Sequence, residues 1–526
     1  MRYLLGLDLS TQSFSSVLIN PDDNRVVDTE SVNFGKELSQ YRSPNGFLPE
    51  TEDGQVHSDP RMWLEALDLL MARIQAKGID LSRVAALSGA GQQHGSVYLD
   101  AGWFDRLAAL RADEPLVDQI APTFSRATSP IWMDGSTGAE CTEIAESLGG
   151  AAEVCARSGS VAIERFTGPQ IRAFWKRDPD GYRRTARIHL VSSFIASLLA
   201  GRDAPIDHGD GAGMNLANIH AWRWDDDLTK ATAPDLIDKL PPLKPSATVV
   251  GTVAEYFQKK YGFSPEARVV AFTGDNPSSL IGMGAGTPGR VVISLGTSDT
   301  LFAAMEDCRT DPQGFGHVFG NPTGRYMSLL CFRNGSLARE NVRDRLGASW
   351  EDFEVDGLSA TPPGNNDNLM IPFYGAEITP RGSLPEPVLS GADAFVRYDD
   401  KPAVVRACLE GQFLNMWLHT RWLAQETLSI SLTGGASQNN GIARIVADIF
   451  GAEVNRLAVS GSVALGGALR AGQTALGLDG AALEQAFCRP DPGSTVRPDA
   501  EATAVYRQQA ERFRELLEKS LRPLDT

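Results

Sequence analysis

A short pattern of strand, small polar turn and strand occurs twice in this chain, once in each half. The first copy spans residues 7–12 and the second spans residues 293–298. Leu9 aligns with Leu295, and Thr11 aligns with Thr297. Two such hairpins favour a duplicated architecture in which a cleft separates two similar halves.

Apolar strand-like runs and helical segments alternate around the first hairpin and beyond it. Residues 3–7, 84–87 and 269–272 are short apolar runs typical of buried strands. Between the first two runs, Asp59 and Pro60 begin a segment whose apolar residues recur at helical spacing. This alternation predicts an α/β fold.

The length of the chain and a proline-rich segment together suggest two domains. With 526 residues, the chain exceeds the size that a single hydrophobic core usually reaches. Prolines cluster between residues 239 and 249, as they often do near a domain junction. We therefore expect an N-terminal domain at residues 1–262 and a C-terminal domain at residues 263–526.

The composition excludes several classes of function. The net charge is −17, and apolar residues make up 42% of the chain, as in ordinary globular proteins. An acidic protein is poorly suited to nucleic acid or an anionic membrane, since both attract clustered Lys and Arg. Nucleotide phosphates are still allowed, because backbone N–H groups and Mg²⁺ hold them without a basic surface. The six cysteines form no C-x-x-C pair and no apolar run reaches membrane length, so we expect reduced thiols and a cytoplasmic protein.

Small hydroxylated turns join the strands of both hairpins, at residues 10–13 and 296–300. Gly, Ser and Thr let the backbone approach an anion closely, and they donate N–H and O–H groups to phosphate oxygens. The same residue types are also the commonest in hairpins, so either turn alone has a purely structural explanation. Two matched turns favour phosphate binding. The motif G-x-x-x-x-G-K-[ST] is absent, which argues against a P-loop.

Two aspartates directly follow or end buried strands. Asp8 lies beside the first turn, where it either caps that turn or faces Mg²⁺ bound to phosphate. Asp275 precedes Asn276 and Pro277, a context typical of an Asx turn or a helix N-cap. Its alternative role is that of a general base, because phosphoryl transfer to an alcohol needs an acceptor for the hydroxyl proton.

Two further loops carry groups suited to uncharged parts of a ligand. The segment Gln92-Gln93-His94-Gly95 offers amide and imidazole groups, which bind a polyol through directed hydrogen bonds. Residues 433–439 form a glycine-rich turn between a strand and a helix, against which adenosine or a phosphate can lie. This turn lacks G-x-G-x-x-G, which argues against a dinucleotide.

Taken together, these segments resemble the FGGY carbohydrate kinases of the actin-like superfamily, over nearly the whole chain. The segments that carry the resemblance are LSGAGQQHGSVY (87–98), ERFTGPQI (164–171), GDGAGMNL (209–216), VVAFTGDNPSSL (269–280), SLGTSDTLF (294–302), CFRNGSLARE (331–340) and TGGASQN (433–439). Within the family, the chain is most similar to the longer, eukaryotic-like members that act on xylulose.

The resemblance implies two actin-like, ribonuclease-H-like domains that flank a central catalytic cleft. It also implies transfer of the ATP γ-phosphate to O5 of D-xylulose, with Asp275 as the base and with Mg²⁺ near Asp8. The positions similar to the family's sugar contacts are Gln93, His94, Arg165, Asp275 and Asn276. The positions similar to its nucleotide contacts are Ser10, Thr11, Gln12, Gly296, Thr297, Ser298, Trp350, Gly434, Gly435, Ala436 and Asn439.

Other activities of the superfamily are alternatives at this point. Ribulose, another pentulose or a glycerol-like polyol are alternative substrates, and a non-kinase ATPase is an alternative class. We expect the partners to be a small sugar and ATP, without nucleic acid or membrane, and a monomer or homodimer.

One motif departs from the family pattern. Many members have Trp-x-Asp-x-Arg, whereas this chain has Ser136 in place of the Arg that follows Asp134. We therefore leave Asp134 out of the expected sugar ligands, and Arg165 could supply the missing positive group.

Overall fold

The computed structural model describes residues 2–49, 54–457 and 461–522, which divide into two compact units. The first unit comprises Met1–Gly286, Val318–Met327 and Val459–Cys488. The second unit comprises Thr287–His317, Ser328–Ala458 and Arg489–Thr526.

This division differs from the expected boundary at residues 262 and 263. The segment after residue 262 belongs to the first unit, because its strands Arg268–Val270 and Thr273–Gly274 both pair with the strand Val84–Gly91. The expected boundary followed the prolines, which here lie in loops of the first unit.

The elements of both units are numbered along the chain. The strands are β1 (Tyr3–Leu9), β2 (Ser13–Asn20), β3 (Arg25–Asn33), β4 (His57–Ser58), β5 (Val84–Gly91), β6 (Ser96–Leu99), β7 (Ser129–Pro130), β8 (Arg187–Leu190), β9 (Ile206–Asp207), β10 (Ala217–Asn218), β11 (Arg223–Trp224), β12 (Leu243–Lys244), β13 (Val249–Thr252), β14 (Arg268–Val270), β15 (Thr273–Gly274), β16 (Arg290–Leu295), β17 (Asp299–Met305), β18 (His317–Gly320), β19 (Tyr326–Phe332), β20 (Leu369–Ile371), β21 (Val388–Ser390), β22 (Ser429–Thr433) and β23 (Glu453–Arg456). The α-helices are α1 (Phe34–Glu37), α2 (Pro60–Ala76), α3 (Gly102–Ala108), α4 (Leu116–Ile120), α5 (Gly138–Ser147), α6 (Ala151–Ser158), α7 (Thr167–Arg177), α8 (Pro179–Arg184), α9 (Val191–Ala200), α10 (His208–Gly211), α11 (Asp226–Thr232), α12 (Leu236–Lys239), α13 (Glu255–Tyr261), α14 (Asp275–Gly282), α15 (Ser336–Leu346), α16 (Val355–Leu358), α17 (Asp393–Val396), α18 (Lys401–His419), α19 (Asn440–Phe450), α20 (Ser462–Leu476), α21 (Gly480–Phe487) and α22 (Ala500–Ser520).

The first unit is built on a mixed sheet with the strand order β13-β14-β5-β1-β2-β3, to which β15 adds by pairing with β5. β1 runs antiparallel to β2 and parallel to β5. Its helix α2 begins as expected, with Pro60 in the first turn and the Asp59 side chain accepting a hydrogen bond from the N–H of Arg61. The apolar face of α2 covers one side of this sheet.

The second unit repeats this arrangement. Five of its strands have the order β19-β17-β16-β22-β23, in which β16 runs antiparallel to β17 and parallel to β22. This order matches β3-β2-β1-β5-β14 of the first unit strand for strand. The structure therefore confirms the duplication, because the repeated sequence pattern falls on the β1–β2 hairpin of the first sheet and on the β16–β17 hairpin of the second. It also confirms the α/β class.

Helix α20 packs on the other side of the first sheet, and its backbone approaches the sheet backbone directly where glycines lie. A Cβ atom on Gly6 of β1 would lie 1.7 Å from the carbonyl oxygen of Ala464. Likewise, a Cβ on Gly466 would lie 1.9 Å from the carbonyl oxygen of Ser278 in α14. Glycine at these positions is therefore required by close approach.

Among the residues described, no helix is both long enough and apolar enough to cross a membrane.

Candidate active site

Three parallel strands of the first unit end at the same level, and the predicted sugar-side residues Gln93, His94, Asp275 and Asn276 follow two of these ends. The register pairs Asp8 of β1 with Ala90 of β5, and it pairs Thr273 of β15 with the same Ala90. Gln92 follows β5 directly, and Asp275 follows β15 directly. In α/β sheets, the carboxyl ends of parallel strands are where ligands bind, since loops there converge around a crevice.

Asp275 is the first residue of α14, and the N-cap of that helix is Gly274. Its Oδ1 accepts hydrogen bonds from the backbone N–H of Asn276 at 2.9 Å and from the side-chain amide of Asn276 at 3.1 Å. The carboxylate therefore does not cap the helix, so the N-cap role that the sequence left open for Asp275 is excluded. Burial raises the pKa of Asp275 to about 6, although the hydrogen bond from the Asn276 backbone opposes that rise.

Gln93 and Asn276 connect the loop after β5 to the loop after β15. The side-chain amide of Asn276 donates to Oε1 of Gln93 at 2.8 Å. A Cβ on Gly274 would lie 2.4 Å from Cγ of Gln93, so a glycine is needed for this approach. The two amides therefore fix the orientation of the Asp275 carboxylate from one side.

Asp8 has one carboxylate oxygen bound and one unpaired. Its Oδ2 accepts a hydrogen bond from the Ser10 hydroxyl at 2.8 Å, and its Oδ1 is buried without a partner among the described residues. Burial raises the pKa of Asp8 to about 7, and the negative charge of Asp275 adds to the rise. A divalent cation beside Oδ1 would reverse this rise, because it favours the ionised form.

These features of Asp8 fit a magnesium ligand. The described residues contain no cluster of three or more His, Cys, Asp and Glu side chains that would enclose a metal by themselves. Mg²⁺ does not need such a cluster, since it keeps waters and is typically held by one or two carboxylates and by phosphate oxygens. Asp8, with its unpaired oxygen, is the residue that would hold it.

The first turn, which follows Asp8, is held in place by two side chains from distant segments. The Thr11 hydroxyl donates to Oε1 of Gln92 at 3.3 Å, and it accepts a hydrogen bond from the Trp132 indole N–H at 2.9 Å. The backbone N–H of Ser10 donates to the carbonyl of Ser13, which closes the turn. Gln12, at its tip, is exposed.

His94 is a buried, uncharged hydrogen-bonding group. Its Nδ1 lies 2.9 Å from the carbonyl oxygen of Gly213, so Nδ1 carries the proton and Nε2 is an acceptor. Burial and the nearby Arg165 guanidinium lower the pKa of His94 to about 3. The ring stacks on Phe166 at 4.2 Å, and the Arg165 guanidinium lies 5.7 Å from the centre of the same Phe166 ring. The backbone of His94 has φ +70°, a left-handed conformation that is rare for a non-glycine residue and often accompanies function.

Several buried polar atoms near Asp275 have no hydrogen-bond partner among the described residues. They are Asp8 Oδ1, Gln92 Nε2, Gln93 Nε2, Asp210 Oδ1 and Thr273 Oγ1. Buried polar groups are normally paired, so a cluster of unpaired donors and acceptors indicates the binding place of a polar ligand or of water. Apart from Asp8 Oδ1, which suits magnesium, this set suits a polyol, which both donates and accepts.

Asp210 is a site residue that sequence reasoning missed. It is buried in α10, accepts a hydrogen bond from the Ser192 hydroxyl at 2.5 Å, and lies near enough to Asp275 for their charges to interact. Burial raises the pKa of Asp210 well above its usual range, and the charges of Asp207 and Asp275 add to that effect. Asp210 lies in GDGAGMNL, one of the segments that carry the family resemblance. Its contact with Ser192 and its closeness to Asp275 depend on the fold and could not be predicted from that segment.

Asp134 is saturated by protein hydrogen bonds. Its Oδ1 accepts from Ser136 and from the Gln170 amide at 2.7 Å, and its Oδ2 accepts from the Val56 N–H at 3.0 Å and lies 3.3 Å from His57 Nε2. Burial opposes ionisation, but these hydrogen bonds, led by that of His57, bring its pKa down to about 2. This arrangement is that of a structural carboxylate.

The turn of the second unit has the same form as the first. Residues 296–298 connect β16 to β17, with Leu295 paired to Asp299 across the hairpin. Thr297 and Ser298 are exposed, whereas Asp299 is buried. The exposed hydroxyl and N–H groups of this turn are available to an anion.

The glycine-rich turn of the second unit lies directly against this hairpin. Gly434 has φ +87°, and a Cβ there would lie 2.3 Å from the carbonyl oxygen of Leu295. Gly435 and its surroundings are open, since a Cβ there would meet nothing within 4 Å. Ala436 is half-buried, and the Asn439 side chain caps α19 by accepting from the N–H of Ile442 at 2.9 Å.

Trp350 lies in the segment that packs against the start of α19. Its ring is 45% exposed and is covered on one side by the Arg343 guanidinium at 4.6 Å. The next residues reach α19, since Glu354 accepts from the N–H of Asn440 at 3.0 Å. An exposed aromatic ring in this segment offers a surface on which a nucleobase can stack.

Comparison with known proteins identifies the family. The family model for the FGGY family of carbohydrate kinases, N-terminal domain, matches residues 3–282, and that for the C-terminal domain matches residues 291–475. A protein named xylulose kinase from Rattus norvegicus is 40% identical over 99% of this chain and 97% of its own length.

Solved structures agree on the fold. A xyloylose kinase from Brucella ovis superposes with a TM-score of 0.81 at 20% identity, covering 98% of this chain and 99% of its own. A gluconate kinase from Lactobacillus acidophilus superposes with a TM-score of 0.82 at 20% identity, covering 98% of both chains. The fold is thus shared by proteins named for different sugars. On the evidence of both family models and of a full-length relative, the chain belongs to the FGGY family of carbohydrate kinases.

Proposed function

We propose that this kinase transfers the γ-phosphoryl group of ATP to O5 of D-xylulose, giving D-xylulose 5-phosphate and ADP. The observation that carries the proposal is the placement of Asp275 at a strand end, oriented by Asn276 and bordered by unpaired buried polar atoms. The 40% identity over nearly the full chain to a relative named xylulose kinase supports the choice of sugar.

Asp275 acts as the general base in this proposal. As the phosphorus–oxygen bond forms, the O5 proton passes to the Asp275 carboxylate, and ADP leaves with the electrons of the broken bond. A pKa of about 6 leaves the group ionised at neutral pH and makes it more basic than an ordinary aspartate. Burial thus tunes the carboxylate for proton acceptance.

Three neutral side chains, His94, Gln93 and Asn276, hold the sugar together with the Arg165 guanidinium. His94 presents Nε2 as an acceptor because its Nδ1–H is donated to Gly213. The unpaired amide nitrogen of Gln93 is a donor, and Arg165 adds further donors. The Asn276 side chain presents Oδ1 as an acceptor, because its amide nitrogen already donates to Gln93 and Asp275. An uncharged sugar needs such a mixture of donors and acceptors, which a cluster of like charges does not provide.

The exposed turns and the glycine-rich loop bind the nucleotide in this proposal. Ser10, Thr11 and Gln12 in the first unit and Gly296, Thr297 and Ser298 in the second line the phosphates. The donors are the backbone N–H groups of Thr11, Gln12, Thr297 and Ser298, since the N–H groups of Ser10 and Gly296 already bond to Ser13 and Asp299. Gly434, Gly435, Ala436 and Asn439 form the adenosine surface, with Trp350 beside it. Magnesium held at Asp8 would neutralise phosphate charge as the leaving group departs.

A panel of sugars in a coupled ADP-release assay tests the substrate. D-Xylulose is expected to have the highest kcat/KM among xylulose, ribulose, glycerol and gluconate, and phosphorus NMR of the product is expected to place the phosphate on O5. A higher kcat/KM for ribulose or another polyol overturns the choice of xylulose. The same assay on Asp275→Asn shows that the turnover belongs to this chain and not to a contaminating kinase.

A further inference from the structure

The second phosphate turn rests on a buried ion pair that makes no part of its exposed surface. Asp299 follows the turn as the first residue of β17, and its side chain is 2% exposed. Arg339, on α15, is likewise 2% exposed at its side chain. Its NH1 donates to Asp299 Oδ2 at 3.0 Å, and its NH2 donates to Asp299 Oδ1 at 3.1 Å, a two-point contact.

Asp299 connects this pair to the backbone of the turn. Its Oδ1 also accepts the backbone N–H of Gly296 at 3.2 Å. The carbonyl of Gly296 in turn accepts the N–H of Ser336, the first residue of α15, at 2.9 Å. Both polar groups of the Gly296 backbone are therefore engaged from below, and the conformation of the turn depends on where Asp299 and α15 lie.

A second layer holds Arg339 itself. Its NH1 donates to Oε1 of Gln412 at 3.2 Å, and the amide of Gln412 donates to the carbonyl oxygens of Asn334 and Gly335, the latter at 2.8 Å. A Cβ on Gly335 would lie 2.6 Å from Asp299 Oδ1, so only glycine allows this approach. The loop before α15, the helix and the hairpin are thus locked to one another.

Neither member of the pair is placed to touch a ligand. Both carboxylate oxygens of Asp299 are used inside the protein, and two nitrogens of Arg339 make four hydrogen bonds to Asp299, Gln412 and Ser336. An unpaired carboxylate beneath a phosphate-binding turn would repel the phosphate, and the guanidinium cancels that charge. The pair therefore fixes the conformation of the turn from its buried side, and the charges of its two members cancel each other.

We propose that Asp299, Arg339 and Gln412 are positioning residues that hold the 296–298 turn in its nucleotide-binding conformation. This inference rests on the proposed function insofar as it takes the turn to bind phosphate. It does not depend on which sugar is phosphorylated. Disturbing the network is expected to weaken nucleotide binding while leaving the sugar residues of the first unit unaffected.

The experiment compares Asp299→Asn, Gln412→Leu and the double variant Asp299→Asn/Arg339→Gln with the unaltered full chain. Calorimetry measures the Kd for a non-hydrolysable ATP analogue with Mg²⁺, and kinetics measure the KM for ATP and for the sugar. Asp299→Asn leaves the buried Arg339 charge without its ionised partner, so we expect the analogue Kd and the ATP KM to rise by about tenfold or more. The sugar KM is expected to stay within about twofold, since its residues make none of these contacts.

The other two variants separate positioning from a direct contact. Gln412→Leu does not alter the turn itself, and a rise of about threefold in the analogue Kd is expected if the network transmits position. The double variant replaces the ion pair by two neutral amides, and it is expected to recover most of the affinity that Asp299→Asn loses. If Asp299 contacted metal or phosphate directly, neutralising Arg339 would not restore binding.

Glu410→Gln is the matched control. Glu410 lies on α18 in the same unit, is also about 2% exposed, and also pairs with an arginine, Arg406 at 3.1 Å. Its other partners, Tyr506 and Gly364, do not belong to the turn. This variant is expected to bind the analogue normally even if its melting temperature falls.

Two results would overturn the inference. One is unchanged analogue affinity in both Asp299→Asn and Gln412→Leu, and the other is an equal weakening in Glu410→Gln. If Asp299→Asn does not fold, Gln412→Leu and the double variant decide the question by the same measurements. Because analogue binding needs no sugar, a chain that fails to phosphorylate xylulose would refute the proposed function and leave this test intact.

Discussion

The side-chain amide of Asn276 donates a hydrogen bond to Oε1 of Gln93 at 2.8 Å, although 183 positions separate the two residues in the chain. The same amide lies 3.1 Å from Oδ1 of Asp275. One planar group thus ties the loop after β5 to the carboxylate after β15. The orientation of Asp275 is set by this bridge, and its protonation is set by burial.

Asp275→Asn is expected to lower kcat by about 10³-fold, the range seen when a general base is lost. The amide keeps the size and the hydrogen bonds of the side chain, so binding of an ATP analogue is expected to be normal. Steady-state kinetics and calorimetry measure the two effects. Asp311→Asn, in a buried turn-forming carboxylate that accepts three backbone N–H groups, serves as the control and is expected to keep full activity. Near-normal turnover in Asp275→Asn would remove this residue from the mechanism.

The pH profile is expected to follow the ionisation of Asp275. Burial raises its pKa to about 6, and the base must be ionised to accept a proton. The kcat/KM for the sugar should therefore be constant above about pH 7 and fall about tenfold per pH unit well below pH 6. The measurement uses saturating ATP and Mg²⁺, which keep Asp8 ionised. A profile that is flat down to pH 5 would contradict the assignment.

His94→Asn is expected to raise the KM for the sugar by about tenfold or more, because the acceptor Nε2 is lost. The KM for ATP is expected to stay unchanged. His419→Asn is a matched control, since His419 Nδ1 makes the same kind of bond, to the carbonyl of Asn415 at 2.8 Å, in the second unit. Equal effects of the two substitutions on the sugar KM would count against a sugar contact by His94.

Gly434→Ala is expected to impair nucleotide binding. The residue has φ +87° and its Cβ would lie 2.3 Å from the Leu295 carbonyl, so the turn and the end of β16 must separate. Gly477→Ala controls for a positive φ without a steric contact, because Gly477 has φ +65° with nothing within 4 Å of its Cβ position. We expect Gly477→Ala to lose about 1 kcal/mol of stability from strain, and Gly434→Ala to lose more because its φ +87° and ψ 175° are open almost only to glycine. Only Gly434→Ala is expected to raise the Kd for an ATP analogue. Unchanged nucleotide affinity in Gly434→Ala would contradict the prediction.

Asp134→Asn is expected to destabilise the protein by about 2 kcal/mol, since the buried carboxylate accepts hydrogen bonds on both oxygens. Its pKa, held near 2 mainly by hydrogen bonds that outweigh burial, means that this stabilisation is present above the ordinary aspartate pKa near 4 and is lost as the pH falls toward 2. Thermal unfolding as a function of pH measures the effect. If Asp134→Asn raised the sugar KM without lowering the melting temperature, Asp134 would instead be a sugar contact.

The local sequence predicted those features that depend on neighbours in the chain. The paired hairpins, the helix that begins at Pro60 and the helix after Asn439 follow from periodicity and capping, which are local. The predicted strand at residues 84–87 extends to Gly91, because residues 88–91 continue β5. Their small size fits close contacts, since a Cβ on Gly89 would lie 2.5 Å from the Leu7 carbonyl oxygen and a Cβ on Gly467 of α20 would lie 2.9 Å from Cα of Gly89.

The remaining features depend on contacts between distant segments. Asp210 lies in a segment that carries the family resemblance, but its place beside Asp275 was not predicted, because its neighbours come from α9 and from the start of α14. The Asp299–Arg339 pair likewise joins residues 40 positions apart. The roles of Asp275, His94 and Arg165 were inferred from the family resemblance, and they stay predictions until the variants are measured.

The direct backbone contact between α20 and the first sheet has a consequence for local opening of the protein. Gly282 of α14 meets the carbonyl of Ser462, and Gly467 meets the backbone of Gly89, so α14, α20 and β5 share contacts that no side-chain rotation can relieve. Sub-global opening should therefore release these three elements together, and their amides should exchange with solvent deuterium at one common, slow rate. The carboxylate of Asp275, carried at the start of α14, then becomes exposed only when α20 and β5 open as well.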